Sequence, residues 1–214
     1  MDIRYLGHSS FRINNREAAL VTDPYKDSAT GLKFPKVEAD IITISHNHQD
    51  HNFSQAIDGN PVVIQGPGEY EIKNVRIQGI TTYHDNDSGK KRGKNTIYHI
   101  VIDDVHLLHC GDLGHILEDQ QIEAIPDIDI VFIPVGGYFT IDAEEATKII
   151  TKLEPRIVIP MHYKRPGLSE DLAAHLAPVD TFLKSVGKDT ITPLPKLTIS
   201  KDKLPPELQI VVLE

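Results

Sequence analysis

Short apolar runs, broken by glycine, proline or aspartate, recur along most of the chain. They are rich in valine and isoleucine and lie between turn residues, which is the pattern of β-strands. The runs at 128–133 and 157–159 are almost uniformly apolar, which indicates strands covered on both faces. The pattern predicts strands at residues 3–6, 11–13, 19–22, 40–45, 61–64, 75–80, 96–102, 105–109, 128–134, 156–160 and 208–213.

Helical periodicity is found mainly in the second half of the chain. A helix is predicted to begin at Asp142, because Glu145 follows three residues later and completes a capping box. Apolar residues then recur at helical spacing up to Leu153, and Pro155 prevents continuation. Shorter helices are predicted at residues 118–124, 169–176 and 179–186.

The order of these elements predicts an α/β fold. Strands dominate early and helix–strand pairs come later, so the sheets must be covered by helices. No stretch rich in proline, serine and glycine is long enough to separate two cores, so a single domain over residues 1–214 is expected. The polar segment 86–95 contains two glycines and is predicted to be the most flexible loop.

Composition narrows the class of protein. The 214 residues carry a formal net charge of −9, which argues against a nucleic-acid-coating protein with a basic face. No apolar run approaches the ~18–20 residues that span a bilayer. No signal sequence is expected, because the N-terminal segment has no basic region followed by an apolar stretch. The single cysteine, Cys110, excludes an intramolecular disulfide and fits a reducing compartment, so a cytoplasmic protein is expected. Cys110 is predicted to be a buried packing residue.

The chain holds 11 histidines, and three of them follow the predicted strand 40–45 in the segment His46-Asn-His-Gln-Asp-His51. Neutral imidazole and carboxylate are ligands that zinc and similar divalent ions prefer. His46 and His48, two residues apart in extended chain, project to one side and can share an ion. Asp50 and His51 lie past the turn and can face a second position. The alternative is a solvated polar loop after a buried strand.

Further ligands are available where later apolar runs end. His84, Asp112 and His162 each lie where a predicted strand gives way to a loop, and ligands commonly converge at such strand ends. The alternative for each of them taken alone is a packed core residue, which is the more common role of a lone histidine near an apolar run.

The complete pattern, His46-x-His-x-Asp-His51 with His84, Asp112 and His162, resembles the metallo-β-lactamase superfamily. Further segments resemble its compact branch of metal-dependent hydrolases, which includes proteins similar to L-ascorbate 6-phosphate lactonase. Those segments are Tyr5-Leu-Gly-His-Ser-Ser-Phe11, Thr22-Asp-Pro24, Gly66-Pro-Gly-Glu-Tyr70, His109-Cys-Gly-Asp-Leu-Gly114, Pro134-Val-Gly-Gly137 and Pro160-Met-His-Tyr163.

The resemblance implies a four-layer αββα sandwich that holds two divalent ions. It assigns the first ion to His46, His48 and His84, and the second to Asp50, His51 and His162. Asp112 would bridge the two. Zinc is favoured, with manganese or iron as alternatives.

One ligand has a competitor within the chain. His109 lies three residues before Asp112, but two ligands so close along one chain would leave the ion poorly wrapped. His84 comes from a separate strand end and matches the third-histidine segment of the family, so it is the favoured ligand. His109 is then expected to contact a ligand or the substrate, and His8 and Asp23 are expected to fix the tautomers of ligand imidazoles. For His8 and Asp23, a local turn or packing role is the alternative.

Two ions with two carboxylates leave a locally positive centre, which favours a small anionic ester or lactone as substrate. Coordination lowers the pKa of water to roughly 7, and Asp50 can orient that water and take its proton as ligand and base. The alternatives are a phosphodiesterase acting on a nucleotide or short nucleic acid, and a metal-binding protein with little turnover. Basic residues of the 90–94 segment either close over the substrate or form a solvated surface loop.

Overall fold

The apolar runs form strands that pair into sheets. The structure is a computed structural model and describes residues 1–214. The strands in chain order are β1 (Asp2–Gly7), β2 (Ser10–Asn14), β3 (Ala19–Thr22), β4 (Val37–Glu38), β5 (Ile41–Ile44), β6 (Ile57–Asp58), β7 (Val62–Gln65), β8 (Gly68–Ile72), β9 (Val75–Tyr83), β10 (Lys94–Ile102), β11 (Val105–His109), β12 (Ile130–Pro134), β13 (Ile157–Met161), β14 (Leu197–Thr198) and β15 (Gln209–Ile210). The helices are α1 (Asp27–Thr30), α2 (Asp119–Glu123), α3 (Ala143–Leu153), α4 (Glu170–His175) and α5 (Val179–Ser185), with 3₁₀ turns at Ser54–Ala56 and Lys201–Lys203.

Two mixed sheets dominate the architecture. The first has the strand order β14-β1-β2-β3-β5-β7, and the second has the order β15-β13-β12-β11-β10-β9-β8. A separate two-stranded ladder joins β4 to β6. Each large sheet has an antiparallel part and a parallel part. The parallel strands are β3, β5 and β7 in the first sheet and β11, β12, β13 and β15 in the second.

The inner faces of the two sheets share one hydrophobic core. Phe11 from the first sheet packs on Phe132 from the second, with ring centroids 4.5 Å apart. Tyr98 ties the sheets together with its phenol, which donates to the carbonyl oxygen of Ile44 at 2.8 Å and accepts from the backbone N–H of Gly66 at 3.0 Å. These contacts fix the position of one sheet on the other and therefore the edge at which their strands end.

The outer faces are covered unequally. Helix α3 buries Ala146, Ile149 and Ile150 in the same core as the strands of the second sheet. The outer face of the first sheet is covered by a smaller cluster, in which Tyr25 and Phe34 come from the segment around α1. The helical layer over this sheet is thus reduced to one four-residue helix and a 3₁₀ turn.

The predicted α/β class is confirmed, and every predicted strand and helix has a counterpart. The capping box of α3 is present, with the Asp142 side chain accepting from the Glu145 backbone N–H at 2.9 Å. The pattern missed the short strands β4, β6 and β14 and the exposed strand β8, as well as α1. Lys94 and Asn95, predicted as loop, are the first residues of β10. None of the helices is long and apolar enough to cross a membrane.

Candidate metal centre

Strands from both sheets end at one edge, and the residues that follow them converge there. Because β1 and β3 run in the same direction as β5, and β9 runs in the same direction as β11 and β13, their carboxyl ends lie together. The residues just past these ends are His8 after β1, Asp23 after β3, the segment from His46 to His51 after β5, His84 after β9, Asp112 after β11 and His162 after β13.

The first group of ligand atoms belongs to His46, His48 and His84, which all lie within 4.8 Å of one another. Their rings are close, with centroids 4.6 Å apart for His46 and His48 and 4.7 Å apart for His46 and His84. His46 and His84 are buried, whereas His48 is exposed. This group therefore opens to solvent on one side only.

The second group contains Asp50, His51 and His162, and the structure adds His8 to it. The Nε2 atoms of His8 and His51 lie 3.3 Å and 3.7 Å from Oδ2 of Asp50. His8 also lies against His162, with ring centroids 4.2 Å apart. His8, predicted to act through another imidazole, thus places a ring nitrogen among the ligand atoms themselves.

Asp112 lies between the two groups and is 1% exposed. Its carboxylate oxygens are 3.2 Å from Nε2 of His51 and 3.4 Å from Nε2 of both His84 and His162. Nε2 of His46 is 3.9 Å away. The buried side chain of Asn95 accepts a hydrogen bond from the Asp112 backbone N–H at 3.0 Å and so helps to position this carboxylate.

Asp23 sets the tautomers of one histidine in each group. Its carboxylate accepts from Nδ1 of His51 at 2.9 Å and from Oγ of Ser45 at 2.6 Å. Since the Ser45 proton is donated to Asp23, Ser45 Oγ must accept from Nδ1 of His46, 2.9 Å away. Both Nδ1 atoms therefore carry protons, so Nε2 is the ring nitrogen that His46 and His51 can offer to an ion.

Burial keeps several of these imidazoles neutral at pH 7. It lowers the pKa of His46 to about 3 and the pKa of His84 to about 4, so both present lone pairs. For His51 burial acts in the same direction, but the carboxylates of Asp112 and Asp50 outweigh it and raise its pKa well above the usual value. The protein without metal therefore holds a proton on His51.

The arrangement fits divalent metal ions. Nε2 of His46 is buried with no hydrogen-bond partner. Nε2 of His51 and Oδ1 of Asp112 are also buried and form no hydrogen bond, although they lie 3.2 Å apart. Buried polar atoms in this state are costly unless something else binds them. Imidazole nitrogen and carboxylate oxygen form a donor set suited to zinc. These unpartnered atoms indicate that the site binds metal ions.

Three site residues hold backbone conformations that L-residues seldom adopt. The φ angles are +54° at His8, +40° at Asp23 and +52° at His162. Each of these residues follows directly on the end of a strand, and the left-handed turn lets its side chain join the site. Such residues cost of the order of 1–3 kcal/mol each.

A cavity of about 370 Å³ opens beside the centre, a volume suited to a small molecule. It is lined by Ala29, His48, Asp50, His84, Lys91, Arg92, Asp112, Phe139, His162, Asp171 and Leu172. The cavity thus brings residues of the predicted 90–94 loop next to the ligand groups.

His109 lies outside both ligand groups. It is completely buried between Phe11 and Phe132, and its Nε2 hydrogen-bonds to the carbonyl oxygen of Ser9 at 2.8 Å. Cys110 is completely buried, which confirms its predicted packing role, and burial raises the pKa of its thiol.

Sequence reasoning missed three residues that organise the site. Ser45 and Asn95 belong to strand-end segments and carry no motif of their own. Phe139, in the cavity wall, follows the Gly-Gly pair at 136–137. A signal was available only for Ser45, which directly precedes the histidine motif.

Known proteins resemble this chain in sequence and in structure. A family profile described as "Beta-lactamase superfamily domain" matches residues 2–162. A relative from Thermococcus onnurineus, named UPF0173 metal-dependent hydrolase, is 31% identical over 199 residues and covers 79% of this chain and 88% of its own length. The chain belongs to the UPF0173 metal-dependent hydrolases of the beta-lactamase superfamily.

A second UPF0173 relative, from Desulforamulus reducens, also matches most of the chain. It is 28% identical, and the match covers 90% of this chain and 94% of that protein. The solved structure of a candidate Zn-dependent hydrolase of the metallo-β-lactamase superfamily from Thermotoga maritima shares 34% identity. It superimposes with a TM-score of 0.81 over 99% of this chain and 97% of its own. The match confirms the predicted metallo-β-lactamase fold.

Proposed function

We propose that this UPF0173 protein hydrolyses a small anionic ester or lactone at a dinuclear metal centre. The observation that carries the proposal is the open cavity beside buried ligand atoms that form no hydrogen bond. A purely structural zinc site closes on its ion with four protein ligands. Here exposed His48 and the cavity leave one side accessible to substrate, which disfavours a metal-binding role with little turnover.

The two ligand groups support two ions rather than one. His46, His48 and His84 would hold the first ion, and Asp50, His51 and His162 the second, with Asp112 shared between them. The position of His8 in the second group makes it a further candidate ligand there. The chemistry that divalent ions supply in such a centre is a lowered pKa of coordinated water, to roughly 7, and polarisation of the scissile bond. Zinc suits the donor set best.

Asp50 is the residue we assign to the attacking water. Its carboxylate lines the cavity and lies 3.3 Å from Nε2 of His8. Burial would raise the pKa of Asp50, but His51 and His8 outweigh burial and hold it far below its ordinary value. Asp50 therefore stays ionised at neutral pH and can accept a hydrogen bond from the water. We assign it to orient that water and to take its proton, as both ligand and base.

The test is a substrate panel with the protein purified without chelator and reconstituted with zinc, manganese or iron. Phosphodiesters, phosphomonoesters, lactones and thioesters are compared, with Asp112→Asn as the background and Asp40→Asn as a remote carboxylate control. We expect about two ions per chain by elemental analysis, with hydrolysis of a small anionic ester or lactone. Metal content near zero, or turnover only of phosphodiesters, would overturn the proposal.

A further inference from the structure

We propose that Lys91 and Arg92 form an oxyanion subsite at the mouth of the metal cavity. It would bind a phosphate or carboxylate group that the substrate carries away from its scissile bond. The subsite deepens the proposed hydrolase function and rests on it for the reaction, although binding can be measured without turnover. Both side chains line the cavity together with His48, His84 and Asp50.

The guanidinium of Arg92 has no partner of its own. Arg92 is half-buried, yet no carboxylate lies within salt-bridge distance of its side chain, and its only hydrogen bond is made by the backbone N–H. By contrast, the neighbouring Lys90 pairs outside the cavity with Asp87 at 2.9 Å. A half-buried cation that lines a cavity and has no carboxylate within salt-bridge distance offers its donors to a ligand.

Aromatic rings hold the guanidinium in place. Its central carbon lies 5.6 Å from the ring centroid of Phe139 and 5.8 Å from that of Tyr138. Both distances are within the range of cation–π attraction. Phe139 also lies in the cavity wall and approaches the His162 ring, with centroids 6.5 Å apart. One aromatic ring thus links Arg92 to the centre.

The loop that carries the two cations is fixed by Asp85. This buried carboxylate accepts four backbone N–H groups, including those of Lys91 at 2.9 Å and Arg92 at 2.8 Å. The segment predicted to be the most flexible is therefore held internally at the two residues that reach the cavity, so less ordering is required when an anion binds.

Carboxylates in the cavity wall limit what can bind. Asp50, Asp112 and Asp171 line the same cavity. Asp50 and Asp112 belong to the proposed metal centre, which leaves Asp171 as the carboxylate that opposes an anionic ligand; its Oδ1 lies 3.8 Å from Nδ1 of His175. Two cations in this setting favour a small anionic group over a long polyanion. A nucleic-acid strand would require a basic track, and the longest run of basic residues in the chain is the three at 90–92. The subsite thus favours a small metabolite-like substrate.

Binding is tested with zinc-loaded protein and two probes, inorganic phosphate and succinate, by isothermal titration calorimetry. The variants are Arg92→Gln and Lys91→Gln, and the matched controls are Lys90→Gln and Lys94→Gln from the same loop, which do not line the cavity. We expect Arg92→Gln to weaken binding of at least one probe by ~10-fold or more, while the controls stay within about twofold. Weakening for phosphate alone, or for succinate alone, identifies the anion that the subsite takes.

Turnover provides a second and separate readout. 4-Nitrophenyl hemisuccinate and 4-nitrophenyl butyrate share a reacting group and chain length but differ in a remote carboxylate. Arg92→Gln should raise KM for the hemisuccinate by ~10-fold and leave the butyrate unchanged. Equal binding of both probes by Arg92→Gln and by the control variants would overturn the subsite. Absence of hydrolysis of either ester, with the binding difference intact, would count against the hydrolase proposal alone.

Discussion

Replacing Asp23 with asparagine should weaken metal binding, most directly at the second ligand group, where Asp23 contacts His51 itself. The carboxylate of Asp23 is fully buried and accepts three hydrogen bonds, from the backbone N–H of Ser45 at 2.8 Å, from its hydroxyl and from Nδ1 of His51. Asparagine keeps one acceptor oxygen. Its amide nitrogen would face two groups that also donate.

The tautomer of His51 carries the effect to the metal centre. Metal binding requires His51 to lose one of its two ring protons. With Asp23 present, Nδ1 keeps its proton and Nε2 is freed; without the carboxylate, Nδ1 gains by becoming an acceptor, and the proton that remains is on Nε2. That proton would face Oδ1 of Asp112, 3.2 Å away, and remove Nε2 as a ligand. Loss of a partner that orients a ligand typically lowers metal affinity ~10–100-fold. Removing one partner of a buried charged contact costs about 3–5 kcal/mol of unfolding free energy.

The assay is zinc competition against a chromophoric chelator, read as the number of ions and their affinities, together with urea unfolding. Asp40→Asn serves as the matched control, because Asp40 also accepts a backbone N–H, from Ala19, and pairs with Lys73 on the surface. We expect two ions in the control and weakened binding of one ion in Asp23→Asn. Two ions held by Asp23→Asn with unchanged affinity would refute the tautomer argument.

Three further outcomes are expected. Asp50→Asn should keep the fold but lower kcat ~10²-fold or more on the best substrate of the panel. Full activity of this variant would mean that another group activates the water. His84→Ala should lose an ion that His109→Ala retains, by elemental analysis, and the reverse would exchange their roles. Zinc binding at pH 7 should release about one proton per chain from His51, because its raised pKa keeps it charged without metal. Affinity should then rise with pH towards that pKa, and calorimetry in buffers of different ionisation enthalpy should show it.

The positions of the ligands follow from the pattern of strands, and this explains how far sequence reasoning could go. His46 and His162 each follow an apolar run, and the carboxyl ends of those runs meet at one edge. The ligands within the segment 46–51 could be divided between two metal positions from their spacing alone. Contacts between distant segments, such as Asn95 with the backbone of Asp112, depend on how the hairpin of β10 and β11 pairs and cannot be taken from local pattern.

The loop after His84 shows a different limit. Its glycines, lysines and asparagines are typical of a solvated turn, and composition does not distinguish Asp85 from Asp87, two residues later. Asp85 organises the segment because its carboxylate is buried and meets four N–H groups of the curled backbone. Whether a polar loop is ordered depends on such convergent donors, which become visible only in three dimensions.

The left-handed residues His8 and His162 serve the site at a cost to the fold. Glycine at either of these positions would adopt the same turn without steric penalty. A selection for thermal stability alone, in the absence of metal, would therefore favour replacements that dismantle the centre. Bound ions reverse that preference, since occupancy at 1,000 times the dissociation constant adds about 4 kcal/mol to the folded state. Metal supply then becomes a determinant of how long the folded chain survives, and stabilised variants should be selected only in its presence.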